Sequence, residues 1–265
     1  MSAFTKFNED LLSLSKYKKK ELTDTLSNIF TMRVIGNKTH GDLAEVAITE
    51  FINEHMKGYN CIHVGKELFR SKGHEEDVIV TNTDNYDEFP ISLKAYGDGP
   101  LQLSTDKECL MFPLLESYGS EITDPEEIQD VFDHEAFSHF GKMNVLPLIY
   151  KENKLECNIL VFNARKAELN TRYIRLLESG SGRKHPVYRF YDRDGNYIME
   201  VRYGGRTANA LQRGLWTHTK NANQYFKSAT DGWIKYRINN TLVQLFARAL
   251  ISNPDQLDKV LCDLL

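Results

Sequence analysis

Asp77, Ser92 and Lys94 are the residues of this chain whose types and spacing could do chemistry together. An ionised carboxylate can hold a divalent cation, and an ammonium beside it can donate or orient a proton. A serine hydroxyl adds a group that both gives and accepts hydrogen bonds. The three matter only if the fold sets them on one face. Otherwise they are ordinary charges on a surface hairpin, a pattern that short motifs match by chance.

The stretch from His74 to Thr105 must position them. Two apolar runs, Val78–Val80 and Ile91–Leu93, flank the polar loop TDNYDE, which is the pattern of an antiparallel hairpin. A loop centred on Asn85–Tyr86 would set Asp77 opposite Lys94 and Val78 opposite Leu93. Side chains alternate along a strand, so Asp77, Ser92 and Lys94 share one face while Val78 and Leu93 take the other. Upstream, Thr39–Asp42 opens an amphipathic helix, GDLAEVAITEFINEHM. Leu43, Ala47 and Phe51 make one apolar row, extended by Ile48 and Ile52. Glu45 flanks that stripe, with Asp42 and Glu50 as rival carboxylates. Cys61–Val64 is expected as a short strand before the hairpin.

An Asp at the mouth of one strand, followed after a turn by a strand ending in x-Lys, resembles the PD-(D/E)xK nuclease superfamily. The second half here reads Ser92-Leu93-Lys94. Most members carry Asp or Glu two residues before the Lys, and some restriction endonucleases with short palindromic sites carry Asn or Gln. Ser92 departs from the common pattern and leaves the number of metal ions open. The order helix, strand, strand, strand matches the family core, and Gly41–Glu45 resembles the Gly-x-x-x-Glu setting of a helix carboxylate found in many members. The resemblance covers chiefly residues 41–105. It implies an α/β fold with a restriction-endonuclease-like core, a central mixed β-sheet flanked by helices. One domain over residues 1–265 is expected, with a catalytic core over roughly 40–165 and a basic DNA-recognition part over roughly 166–250. It further implies that Asp77 and Glu45 bind magnesium, that Lys94 orients or deprotonates the attacking water, and that Ser92 hydrogen-bonds water at the metal instead of ligating. Glu75 and Glu76 stand in if the hairpin register is off by one or two.

Two stretches are candidates for reading DNA. After Lys94, glycines and Pro100 break the strand, and Gln102, Ser104 and Thr105 alternate with Leu101 and Leu103. The plain alternative is an ordinary edge strand. Further on, RYGGRTANALQRG crowds Arg206, Thr207, Asn209, Gln212 and Arg213 into a short span. Arg can hydrogen-bond guanine bidentately, and Asn or Gln adenine. That stretch resembles, with one gap, a GRxTAN-like element that meets bases in some four-base-cutting restriction enzymes. The alternative is a helix start on a glycine turn with solvated arginines. Elsewhere the pattern predicts helices over 1–30, 110–142, 165–185, 239–251 and 253–264. It predicts strands over 144–150 and 157–162, and a hairpin over 187–203 turning at Asp194-Gly195-Asn196.

Composition sets the outer bounds. Hydrophobic residues make up 41% and charged residues 26%, the balance of a soluble globular chain. No apolar run approaches the roughly 20 residues of a membrane span, and the N-terminal stretch lacks a secretory h-region. Four scattered Cys with no CxxC argue against a zinc site or a disulfide framework, and a cytoplasmic location is expected. The net charge of −4 hides an asymmetry: residues 161–250 hold 16 Lys and Arg against 6 Asp and Glu. Phosphate contacts need only such a local basic surface. No GxSxG, HExxH or nucleotide-binding glycine fingerprint is present.

The expected function is a type II restriction endonuclease that cuts a short site in double-stranded DNA with magnesium. The alternatives are a superfamily nuclease of repair or recombination and a non-catalytic DNA-binding protein. Monomer or homodimer stays open, since palindromic sites favour a two-fold dimer but some short-site enzymes bind as monomers.

Overall fold

The computed structural model describes residues 2–35, 40–64, 77–97, 99–106, 108–138, 140, 144–179, 184–205, 207–208 and 212–251. In chain order the elements are α1 (Ala3–Tyr17), α2 (Lys19–Val34), α3 (His40–His55), β1 (Tyr59–His63), β2 (Val78–Asn82), β3 (Glu88–Tyr96), β4 (Pro100–Ser104), α4 (Met111–Tyr118), β5 (Glu121–Ile122) and α5 (Pro125–Asp133). They continue with β6 (Val145–Lys151), β7 (Glu156–Phe162), α6 (Ala164–Asn170), β8 (Tyr173–Leu177), β9 (Val187–Tyr191), β10 (Tyr197–Arg202), β11 (Gly214–His218), β12 (Phe226–Ser228), β13 (Ile234–Lys235) and α7 (Asn240–Ile251). Among the described residues this is an α/β protein with seven helices and two sheets, one of them a mixed sheet of seven strands. No helix among the described residues is long and apolar enough to cross a membrane.

The chain forms two compact units that interleave along the sequence. The first takes residues 1–95, 148–159 and 229–265, the second 96–147 and 160–228. Each therefore draws on both sides of residue 165, where the sequence pattern set the catalytic part apart from the basic part.

In the first unit, α2 buries Leu22, Leu26, Ile29 and Phe30, a helical stripe against the rest of the core. The run Lys18–Lys20 is an exposed charged surface: Lys18 pairs with Glu21, Lys19 with Asp231 and Lys20 with Asp24. Strands β1, β2 and β3 form an antiparallel meander, β3 neighbours β6, and β6 pairs antiparallel with β7. Strand β13 lies on β7 through Ile234 and Cys157. Asn53 of α3 covers the outer side of β1, its side-chain amide taking the N–H of Cys61 at 2.7 Å and donating to its carbonyl at 2.9 Å. An edge strand would otherwise leave those groups bare.

In the second unit, six strands run β4-β11-β10-β9-β8-β5. Alternate residues Leu101, Ile122, Ile174, Tyr188, Phe190, Ile198, Val201 and Leu215 join a core closed by Phe112 and Leu115 of α4 and by Val131 and Phe132 of α5. Asp124 caps α5 by accepting the Glu126 N–H, with Pro125 at the first helical position. The helix expected over 165–185 ends at Asn170, and Tyr173–Leu177 is strand β8 instead. Alternation explains the difference: Ile174 is fully buried while Arg175 points out to Glu121 across the ladder. The stretch over 110–142 is likewise interrupted, by β5, which pairs with β8. The helix expected over 253–264 lies outside the described residues.

Candidate active site

The hairpin β2–β3 holds three of the candidate residues. Val78 pairs with Ile91, Ile79 with Pro90, Val80 with Phe89 and Thr81 with Glu88. The Asp77 N–H donates to the Ile91 carbonyl at 3.1 Å, one residue short of that register, so Asp77 and Val78 both stand against Ile91 at the end of the ladder. Val78 therefore stands opposite Ile91, and the regular pairing stops short of Asp77. The register inferred from the sequence, with Asp77 opposite Lys94 and Val78 opposite Leu93, is corrected by two residues.

The cause lies in the loop. Asn82 closes it early: its N–H donates to the Asp87 carbonyl at 2.9 Å, its carbonyl accepts from Tyr86 at 2.8 Å, and its side chain accepts from Asp84 at 2.8 Å. Tyr86 takes the left-handed conformation this requires, with φ 60°. A shift of two leaves every side chain on its expected face. Val78, Val80 and Ile91 are fully buried, whereas Asp77, Ser92 and Lys94 share the opposite, half-buried face.

Asp77 is held by strands on both sides. Its carbonyl accepts the Val64 N–H at 2.9 Å, its Oδ2 accepts the Leu93 N–H at 2.7 Å, and the same Oδ2 lies 3.7 Å from Lys94 Nζ. A carboxylate bonded to a backbone N–H is oriented by the sheet rather than by its own rotamer.

Glu45 comes from α3. The turns of that helix bury Ala44, Ile48, Phe51 and Ile52, and also Glu45 and Thr49, whose polar row continues to the exposed Asn53. Residues four apart lie on one helix face, and this row faces Cys61 and His63, which alternate onto one side of β1. Asn53 grips the Cys61 backbone, Cys61 Sγ lies 3.8 Å from Thr49 Oγ1, and His63 Nε2 lies 3.0 Å from Glu45 Oε2. His63 pairs with Val78, the neighbour of Asp77. Glu45 and His63 thus lie on the Val78 side of the sheet, beside the end of the meander where Asp77 stands.

Of the rival carboxylates, Glu50 is exposed to solvent, and the Asp42 side chain, Glu75 and Glu76 lie outside the described residues. His63 was not singled out by the sequence pattern. Its signal was there: a strand whose inward positions run Tyr59, Cys61, His63, beside a helix whose positions 45, 49 and 53 are all polar.

The donors offered are carboxylate oxygens, the hard ligands that magnesium prefers, and magnesium commonly binds through one or two carboxylates and completes its shell with water and substrate phosphate. Asp77 and Glu45 each carry donors of that kind. Among the described residues no group of three or more His, Cys, Asp or Glu stands ready to hold a metal by itself.

The DNA-reading candidates belong to the second unit. Gln102 is buried and donates to Thr105 Oγ1 at 2.6 Å. Ser104 and Thr105 are half-buried, and Ser104 pairs with Leu215 of β11. Thr207 and Gln212 are exposed, while Arg213 is half-buried with its guanidinium on Cys109 Sγ. Gly204 sits against Ala208 and Gln212 so closely that an added Cβ would meet theirs at 2.8 and 2.9 Å. That glycine lets the stretch fold back on itself. Arg206 and Asn209 lie outside the described residues.

No protein-family model, no curated protein and no solved structure matches this chain.

Proposed function

We propose that the chain is a magnesium-dependent endonuclease of the PD-(D/E)xK kind that hydrolyses phosphodiesters at a short specific sequence in double-stranded DNA, as type II restriction enzymes do. The observation that carries the reading is the meeting of Asp77 and Lys94 on the half-buried face of a hairpin whose other face is core. The helix and meander that precede and contain it are supporting context, with a buried carboxylate at Glu45.

Asp77 and Glu45 would hold the magnesium, which when bound supplies a Lewis acid for the scissile phosphate. The remaining work falls to the chain. Lys94 places its ammonium beside Asp77, where it orients the attacking water and offsets negative charge developing on the phosphoryl oxygens. The Leu93 N–H fixes the Asp77 carboxylate before substrate arrives. The Ser92 hydroxyl supplies a hydrogen bond at the position where most relatives of this motif would carry a second carboxylate. Basic residues over 161–250 meet the phosphate backbone.

Ser92 also favours a second reading, a DNA-binding protein without catalysis, because it removes one anionic ligand from the motif. Incubation of the pure protein with phage DNA at about pH 8, with magnesium or with EDTA, separates the readings. Discrete magnesium-dependent fragments support restriction. Cutting of forks or mismatches alone supports a repair nuclease, and a gel shift without cleavage supports the binder.

A further inference from the structure

We propose that His63 is the positioning residue for the Glu45 carboxylate, setting its orientation from the neighbouring strand. Only the kinetic consequence of this inference rests on the nuclease reading.

Three observations carry it. Glu45 is buried, so its carboxylate has lost most of its water and its oxygens need hydrogen-bonding partners from the protein. His63 Nε2 stands 3.0 Å from Oε2, within hydrogen-bond range. The contact is the last of three successive side-chain contacts between α3 and β1, after Asn53 with Cys61 and Thr49 with Cys61. Those two fix the helix along and around its axis relative to the strand. The imidazole then has a determined place to reach from.

The arm is short and stiff. Histidine has two side-chain torsions, and its backbone is locked in the ladder opposite Val78. A glutamate alone has three torsions, which leave the carboxylate free to swing. Clamping one oxygen from a strand adjacent to Asp77 removes that freedom where it matters, since a displaced ligand costs rate even when it is present. Partners of this kind, acting through a ligand rather than on the substrate, commonly contribute about 10- to 100-fold in activity or metal affinity.

The test uses the full chain with His63→Ala, His63→Gln, Glu45→Ala and the double variant His63→Ala with Glu45→Ala. Without metal or DNA, urea unfolding forms a double-mutant cycle. The expected result is that the double variant unfolds at the urea concentration of the weaker single variant, because the second removal deletes a contact already gone. With DNA and magnesium, His63→Ala is expected to cut about 10- to 100-fold more slowly in single turnover, with DNA affinity unchanged. His63→Gln, which keeps a side-chain donor, is expected to recover most of that loss. Urea shifts that simply add, or a His63→Ala variant cutting at the wild-type rate, would overturn the inference. If His63→Ala does not fold, His63→Leu, which fills the space without a hydrogen-bonding atom, completes the cycle with Glu45→Ala in its place. A wild-type protein that cuts no DNA removes the nuclease reading alone, and the urea cycle still decides whether His63 holds Glu45.

Discussion

Oδ2 of Asp77 accepts the backbone N–H of Leu93 at 2.7 Å and lies 3.7 Å from the ammonium of Lys94. An exposed ion pair between two long side chains contributes little, because both wander. Here one partner is bonded to the backbone N–H of Leu93 and the other grows from the next residue on that strand. The carboxylate cannot turn from the ammonium without giving up a charge-assisted hydrogen bond. Such preorganisation suits a site where charge develops in the transition state.

Replacement of Lys94 by Ala should lower single-turnover cleavage by about 10²- to 10⁴-fold, the usual contribution of a positioned acid or base. Asp77→Asn should do at least as much, since an amide still accepts from Leu93 but binds magnesium poorly. Both variants should retain sequence-specific binding in a gel shift with EDTA. A variant at either position that cuts at the wild-type rate would defeat the assignment.

Ser92→Asp would place a second carboxylate on the half-buried hairpin face, next to the Leu93 N–H that holds Asp77. Like charges across a ladder destabilise by roughly 0.2–1 kcal/mol. We expect a lower Tm than wild type in EDTA and a larger rise on adding magnesium, read by thermal denaturation. Equal Tm values with no response to magnesium would mean that positions 77 and 92 do not converge on a cation site.

Gly214→Ala should damage the second unit. The residue has φ +111°, and its added Cβ would fall 2.2 Å from the Ser104 carbonyl oxygen. Backbone strain of this kind costs on the order of 1–3 kcal/mol before the clash is counted. The expected outcome is an early unfolding transition in urea and loss of amide protection in β4 and β11. Hydrogen exchange unchanged in those strands would contradict it.

Burial pushes the Cys61 thiol up to about 11 and the Cys157 thiol up to about 12. At pH 8 their thiolate fractions are on the order of 10⁻³ and 10⁻⁴, so both should resist alkylation in the native protein. Cys109, half-buried, should label ahead of them. The linkage has a definite sign. Above the ordinary thiol value of 9.0 the unfolded chain sheds these protons first, so stability present below pH 9 should fall as pH rises towards about 11 for Cys61 and about 12 for Cys157. Mass spectrometry of native and unfolded protein after iodoacetamide checks the first point, and urea midpoints across that window check the second.

The hairpin face was legible because period-two alternation survives any even error in register. The register itself was not, because it depends on Asn82, whose side chain and backbone choose where the loop closes. Glu45 was legible as a carboxylate beside an apolar stripe. Its partner was not, because a contact between positions 45 and 63 requires knowing how α3 sits on β1. Strand β8 was misread as helix from its basic composition, although Tyr-Ile-Arg-Leu alternates as a half-buried strand should. Strand β11 went unread among glycines and arginines, since its place between β4 and β10 is fixed by residues far away in sequence.

The unit that carries Asp77 and Lys94 is assembled from three separated lengths of chain. Its late segment is tied to its early one by Arg237 N–H on Ser27 Oγ and Asn239 N–H on Thr31 Oγ1, each more than 200 residues apart. Closing so long a loop is slow compared with forming local structure. During synthesis the hairpin can form as soon as it is made, but the body that supports it cannot be completed until residues 229–251 have left the ribosome. A nascent chain stalled before that point would display the Asp77–Lys94 face without its foundation, and whatever that face does would begin only late in the chain's own making.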